Sequence, residues 1–210
     1  MDSTSDSDPS VVLVAACFAQ IAARGWTGLS IARAARDSGI ALDTARRSIP
    51  GRYALLAQFG ELADFHTLKD APTEGQPRDR LFDLTMRRID FLQSHRSGVL
   101  ALLQAVPFDP PAALIMSVAT LRSMGWLLAA AGVEGMGVRG ELQRAGMMAV
   151  WGWTVRTWQR DLSDDLAATM AVLDNTLRRA ENVDGWLASG RRVESSPDTT
   201  PGDIPFTSQE

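Results

Sequence analysis

Little in this 210-residue sequence supports redox, metal or catalytic chemistry. The one cysteine, Cys17, has no partner for an internal disulfide and lies on the apolar face of a predicted first helix, as a buried thiol does. The two histidines, His66 and His95, have no cysteines or paired carboxylates at ligand spacing, so we predict no metal site and no cofactor. No nucleophile–base arrangement is visible, and the sequence predicts a protein that is not an enzyme.

Long hydrophobic runs and targeting signals are also scarce. We find no apolar run of the roughly 18 to 20 residues that a membrane span requires. Residues 1–6 are acidic and polar, unlike a secretory signal or an arginine-rich transit peptide. The sequence therefore predicts no transmembrane segment and a cytoplasmic location.

What the sequence does contain is helical periodicity, with almost no strand signals. In the first helix Val14, Cys17, Phe18 and Ile21 recur at the i, i+3, i+4, i+7 spacing of one helix face. Proline and glycine interrupt the pattern, and Ser163 is a good N-cap for a last helix that runs to about Leu187. We predict an all-α fold of about nine helices.

The helices divide into a small N-terminal unit and a larger C-terminal one. We predict a disordered tail over 1–10, a three-helix helix-turn-helix DNA-binding domain over 11–50, and a helical ligand-binding and dimerisation domain over 51–188. A second disordered tail covers 189–210, which is rich in Ser, Thr, Pro and Gly.

Two short helical runs, 30–38 and 42–48, flank Gly39, which can adopt the left-handed conformation of a tight turn. Between residues 11 and 60 there are six arginines and two aspartates, so this segment carries +4 on a chain of net charge −4. A positive patch on an otherwise acidic protein indicates a phosphate backbone as partner.

The spacing of this segment resembles the TetR family of transcriptional regulators, and the resemblance extends over nearly the whole chain. The residues that carry it are Phe18, Arg24-Gly25-Trp26, Ser30, Ala35, Gly39-Ile40, Thr44, Pro50 and Ala54-Leu55-Leu56. It implies that 42–48 is the recognition helix of a homodimer, whose two copies read a DNA operator about 34 Å apart. It also implies a small apolar effector or lipid as ligand.

Site residues follow from this resemblance. The predicted DNA-contacting residues are Arg33, Arg36, Leu42, Thr44, Arg46, Arg47 and Arg52. The predicted ligand pocket is lined by Phe82, Met86, Ile89, Met116, Leu121, Met124 and Trp126. The predicted dimer interface is formed by Met147, Trp151, Val155 and Trp158. A place in the helical core, or in the wall of a lipid or drug pocket, is the alternative for these residues.

Three positions of the recognition segment differ from the family pattern: Asp43, Arg46 and Ile49 stand where a glycine, a tyrosine and a phenylalanine are usual. The chain is also similar to the lipid-binding family of ubiquinone biosynthesis, which shares the TetR fold but does not bind DNA. That similarity lies in Gly25-Trp26-Thr27 and in 161–165. Two functions therefore stay open: a ligand-responsive DNA-binding regulator, or a lipid-binding accessory protein with a vestigial helix-turn-helix.

Overall fold

The computed structural model describes residues 8–133 and 135–182, and within these ranges all the regular secondary structure is helical. The predicted all-α class and the number of helices are confirmed. The nine α-helices are α1 Pro9–Arg24, α2 Ile31–Asp37, α3 Leu42–Ser48, α4 Arg52–Leu68, α5 Pro77–Ser94, α6 Arg96–Ala105, α7 Pro110–Ala130, α8 Gly137–Trp158 and α9 Ala167–Asn182. Two 3₁₀ turns, Trp26–Gly28 and Val106–Phe108, precede α2 and α7.

The first helix begins earlier than predicted. Asp8 is its N-cap and accepts a hydrogen bond from the Ser10 backbone N–H at 2.9 Å, and Pro9 occupies the first turn, where its missing N–H costs nothing. Pro9 and Ser10 therefore belong to α1, so the helix begins inside the segment 1–10 that was predicted as a tail. Residues 1–7 lie outside the described ranges, as do the predicted tail 189–210 and the end of the last helix at Leu187.

The last helix begins later than predicted, at Ala167, whose backbone N–H donates to the Ser163 hydroxyl and to Asp165 Oδ1, both at 3.2 Å. Asp161 organises this connection by accepting hydrogen bonds from the Ser163 N–H at 3.2 Å and from the N–H and hydroxyl of Thr169, both at 2.8 Å. These bonds hold the pKa of Asp161 well below its usual range, chiefly through the Ser163 and Thr169 hydroxyls. A buried carboxylate thus acts at the start of α9 together with the serine that the sequence suggested.

Two hydrophobic clusters form the interior. The first joins α1 to α4 with parts of α5, α6 and the end of α8, and contains Phe18, Ile49 and Trp158. The second joins α5, α7, α8 and α9 around Leu81, Met124 and Met147. The buried Cys17 belongs to the first cluster, and burial raises the pKa of its thiol to about 11, as expected of a structural thiol.

α7 corrects the expectation that no apolar run is long enough to cross a membrane. An 18-residue window of this 21-residue helix has a mean hydropathy of 1.5, and 28% of that window is buried within the chain. The helix includes one charged side chain, Arg122. One face of α7 packs on α4 and α8. Much of the remaining surface of the helix is apolar, with Leu114, Val118, Leu121 and Trp126 exposed.

The helix-turn-helix unit is fixed to the body by a close contact between α1 and α6. Gly98 lies so near α1 that a Cβ atom placed on it would be 2.4 Å from the carbonyl oxygen of Phe18. Backbone atoms cannot yield to such a clash as a side-chain end can. Only glycine allows this approach.

We expect Gly98→Ala to lower the free energy of unfolding by about 1–3 kcal/mol, because α6 must shift away from α1. Chemical denaturation measures this change. The matched control is Gly60→Ala in α4, where the added Cβ meets Ala119 at an ordinary 3.8 Å and helix propensity improves. Equal effects of the two substitutions would show that the α1–α6 contact tolerates a side chain.

Asp161 predicts a pH dependence of stability. Because its folded pKa is depressed, its contribution is present above the unfolded value near 3.8 and disappears as the pH falls below that value. Asp161→Asn should therefore unfold at a lower temperature than the natural chain at pH 7, and the difference should shrink as the pH falls below about 4. A difference that is constant from pH 7 to pH 3, measured by thermal unfolding, would contradict this.

Candidate nucleic-acid interface and ligand cavity

The geometry of a helix-turn-helix is present at the predicted place. Ser30 caps α2, and Gly39 turns the chain with a φ of +68°, in the left-handed region that favours glycine. The small buried residues Ala35 and Ala45 let the two short helices pack closely. α3 is thereby held on the surface of the first hydrophobic cluster.

Three of the predicted DNA-contacting arginines are exposed and unpaired. Arg33 and Arg36 lie on α2 and Arg46 lies on α3. Among residues 8–133 and 135–182, none of the three guanidinium groups has a hydrogen-bond or ion-pair partner. Their charges are therefore available to an anion in solution.

Arg47, in contrast, is engaged within α3. Its Nη2 donates to Asp43 Oδ2 at 2.9 Å and to the hydroxyl of Thr44 at 3.4 Å, and both members of the ion pair are about three-quarters exposed. Leu42, at the start of the helix, is half exposed. On α3, Arg47 thus forms an exposed ion pair with Asp43, whereas the neighbouring Arg46 is free.

Arg52 belongs to a cluster that connects the helix-turn-helix to α7, and which we call the Asp109 cluster: Trp26, Arg52, Tyr53 and Asp109. Asp109 Oδ2 accepts from the buried Trp26 Nε1 at 2.8 Å, and Oδ1 accepts from the Tyr53 hydroxyl at 3.3 Å. The Arg52 guanidinium stacks on both rings, at 5.7 Å from Trp26 and 5.0 Å from Tyr53. Arg52 therefore has partners within the chain, unlike the three free arginines.

The same carboxylate caps α7, because its Oδ1 also accepts from the Ala112 N–H at 3.1 Å. The hydrogen bond from Trp26 is the main cause that holds the pKa of Asp109 below its usual range, followed by that from Ala112. The side chain is thus an anion that fixes α7, the 3₁₀ turn Trp26–Gly28 and α4 to one another.

A cavity lies between α4, α5, α6, α7 and α8. The space open to the centres of water-sized molecules is about 90 Å³, and because roughly 10–15 Å³ of such space holds one water, there is room for several. Its walls are mainly aliphatic and aromatic. They are formed by Leu56, Phe59, Gly60, Ala63, Arg88, Leu92, Val99, Leu102, Leu103, Met116, Ala119, Thr120, Trp151 and Val155.

Arg88 is the only charged side chain in this wall, and it is 5% exposed. Its Nη1 pairs with Asp64 Oδ1, its Nη2 donates to the Ser123 hydroxyl at 3.2 Å, and its guanidinium lies 5.4 Å from the Trp151 ring centre. Burial lowers the pKa of Arg88, and the Asp64 carboxylate opposes that shift. Its buried Nε has no hydrogen-bond partner among the described residues.

The predicted pocket residues are mostly elsewhere. Met116 lines the cavity, but Ile89 and Met124 are fully buried in the two clusters, and Met86 packs between them. Leu121 and Trp126 point outward and are 41% and 60% exposed. Phe82 lies in a shallow surface groove beside α9, with Met170 and Asp174.

The predicted dimer residues are also placed differently. Met147 and Trp158 are fully buried within the chain, and the Trp158 indole donates to Gln93 Oε1 at 2.8 Å, so neither is available to a second copy. Trp151 and Val155 line the cavity instead. The sequence shows that these residues share a helix face, but not which neighbour covers it.

The faces that do lie open are the outer sides of α7 and α8. Large apolar side chains are exposed along both helices: Leu114, Val118, Leu121 and Trp126 on α7, and Val138, Leu142 and Trp153 on α8. On α8 the small residues Ala145, Ala149 and Gly152 are exposed between them, and the spacing 138, 142, 145, 149, 152 alternates four and three. That is the repeat of a helix that packs along another helix.

Comparisons with known proteins bear on the fold. The chain is similar to the crystal structure of a TetR transcriptional regulator from Nitrosomonas europaea ATCC 19718, with 18% identity, a TM-score of 0.70, and coverage of 83% of this chain and 98% of that one. A putative TetR-family transcriptional regulator from Rhodococcus sp. gives 15% identity, a TM-score of 0.61, and coverage of 84% and 98%. No family model and no curated protein matches the sequence. The chain has the fold of the TetR transcriptional regulators.

Proposed function

We propose that the protein is a ligand-responsive transcriptional regulator of the cytoplasm that binds a DNA operator as a homodimer. The observation that carries the proposal is the set of free guanidinium groups of Arg33, Arg36 and Arg46 on an exposed helix-turn-helix. Arginines on the first helix of such a unit contact phosphates, and those on the second reach base edges or phosphates in the major groove. The fold similarity to transcriptional regulators supports the same function.

The dimer in this proposal forms through the outer faces of α8 and α7. α8 has 22 residues and is therefore about 33 Å long. The area of a surface two helices wide along that length approaches the roughly 800 Å² that each partner buries in a stable interface. The small residues Ala145 and Ala149 let a second helix approach closely. Trp153 supplies a large apolar side chain of the kind that dominates interfaces.

One observation favours the alternative, a lipid-binding accessory protein without DNA binding. The Asp43–Arg47 ion pair removes a cation from α3 and leaves a carboxylate where DNA phosphates would approach. An apolar cavity is compatible with either function. A measurement of DNA binding therefore distinguishes the regulator from the accessory protein.

We expect the protein to bind the DNA upstream of its own coding sequence, with an affinity that falls steeply as salt is raised. Arg46→Ala should weaken this binding about tenfold or more, because an arginine contact to DNA contributes about 1–3 kcal/mol. Asp43→Asn should tighten it by up to about fivefold, since it removes an anion and releases Arg47. Fluorescence anisotropy with labelled DNA at several salt concentrations measures all three.

The matched control is Lys69→Ala, which removes one positive charge just beyond the far end of α4. Seventeen helical residues separate it from the helix-turn-helix, a distance of roughly 25 Å, so we expect less than a twofold change. Equal effects of Arg46→Ala and Lys69→Ala would mean that binding is not through α3. The absence of DNA binding at low salt would exclude the regulator and favour the accessory protein.

For the dimer we expect Ala149→Glu to produce monomers, because it places a charge and a longer side chain in the middle of the apolar face. Ala57→Glu, at an exposed alanine of α4, is the matched control and should leave the oligomeric state unchanged. Sedimentation velocity distinguishes the two states. A dimer that survives Ala149→Glu would place the interface on another surface.

A further inference from the structure

The outer face of α8 contains a glycine that no contact within the chain explains. Gly152 is exposed and lies inside the helix, which runs on to Trp158. Glycine disfavours a helix relative to alanine. A Cβ atom placed on Gly98 would collide with the backbone of α1, but one placed on Gly152 would meet no atom within 4 Å among the described residues. A close approach from outside the chain would give this glycine a role.

The size of the exposed side chains changes from one end of α8 to the other. In the N-terminal half, the outward positions of the repeat are Val138 and Leu142, which are 79% and 63% exposed. Further along, the outward positions are Ala145, Ala149 and Gly152. The face is therefore bulky at one end and flat at the other.

Such a face is complementary to a copy of itself when the two helices run in opposite directions. In a parallel pair identical positions meet, so two copies of Leu142 hold the helices apart at one end and two copies of Gly152 leave a gap at the other. In an antiparallel pair with a two-fold axis at the level of Met147, residues equally far from 147 meet. Leu142 then faces Gly152, and Ala145 faces Ala149.

The surface around this stripe is large enough for a second copy. From residue 138 to residue 152 the stripe extends over roughly 21 Å of helix. Leu121 and Trp126 of α7 lie beside Arg144 in a surface groove and widen the apolar face, so that it approaches the roughly 800 Å² per partner of a stable dimer. Arg144 is paired with Glu141 at 2.6 Å, so the second copy does not have to neutralise either charge.

We propose that α8 pairs with α8 of a second copy in the antiparallel orientation, with Leu142 of each copy packed on Gly152 of the other. This pairing rests on the proposed function, in which a homodimer forms through the outer faces of α7 and α8. It adds the direction of the two helices, their register, and the pair of residues that fixes both.

An exchange of side-chain size between the two positions tests this register. Gly152→Leu should raise the dissociation constant of the dimer about a hundredfold, because it overpacks two symmetric contacts at about tenfold each. The added side chain meets open space within the chain and favours the helix, so the monomer should stay folded, which thermal unfolding checks. Leu142→Ala added to Gly152→Leu makes room again and should return the dissociation constant to within about fivefold of the natural value. Sedimentation equilibrium of the full chain measures these constants.

The matched control combines Gly152→Leu with Val138→Ala instead. Val138→Ala also shortens an apolar side chain on the same face, one turn away, but in the proposed register Val138 does not face residue 152. This double variant should stay about a hundredfold weaker than the natural chain. Leu142→Ala alone should weaken the dimer about tenfold, because it leaves a gap opposite Gly152.

The register is wrong if Leu142→Ala does not restore the dimer, if Val138→Ala restores it equally, or if Gly152→Leu leaves the dimer intact. A natural chain that is monomeric at every concentration would contradict both this pairing and the proposed dimer. Monomers from Ala149→Glu without recovery in the exchanged variant would leave the proposed dimer standing and exclude this register. Recovery in a chain that does not bind DNA would support the register and exclude the regulator.

Discussion

The carboxylate of Asp109 is the interaction on which the arrangement of the two parts of the molecule depends. It accepts hydrogen bonds from the indole of Trp26, in the 3₁₀ turn that precedes α2, and from the hydroxyl of Tyr53 at the start of α4. It also accepts one from the backbone N–H of Ala112, in the first turn of α7. A change in the position of α7 therefore alters hydrogen bonds that hold the DNA-binding unit. Leaving a buried donor without its acceptor costs free energy. We therefore expect α7 and the helix-turn-helix to move together rather than independently.

This connection gives the proposed regulation a physical route. Met116, Ala119 and Thr120 of α7 line the cavity, and Met116 is seven residues, or roughly 10 Å of helix, from Asp109. A ligand can shift an equilibrium only if it binds one state better than another. A molecule that requires α7 to move outward would favour a state in which the Asp109 cluster moves with α7, and the orientation of α3 would change with it.

Local signals predicted the elements well, and long-range pairing was not predictable. The bounds of α3 agree with the sequence because Gly39 and Pro50-Gly51 interrupt the chain unambiguously on either side of it. Ile49, a departure from the family pattern, is still a core residue, 1% exposed. The Arg88–Asp64 pair joins residues 24 apart on different helices, and no local pattern identifies it. The one available signal was that Arg88 falls on the same face of α5 as Leu81, Thr85 and Leu92.

The faces of α7 and α8 were unpredictable for a different reason. α7 is apolar on almost every side, and α8 mixes apolar and polar residues around its axis, so periodicity does not show which side is covered. In the structure α8 has apolar residues on two sides, one facing the cavity and one facing solvent. Trp151 and Val155 face the cavity, while Gly152 and Trp153 are exposed on the opposite side, as the 100° step of a helix requires. In the proposed dimer, a ligand that displaces Trp151 would press α8 against its partner. One ligand would then act on α7, which leads to the helix-turn-helix, and on α8, which sets the separation of the two recognition helices.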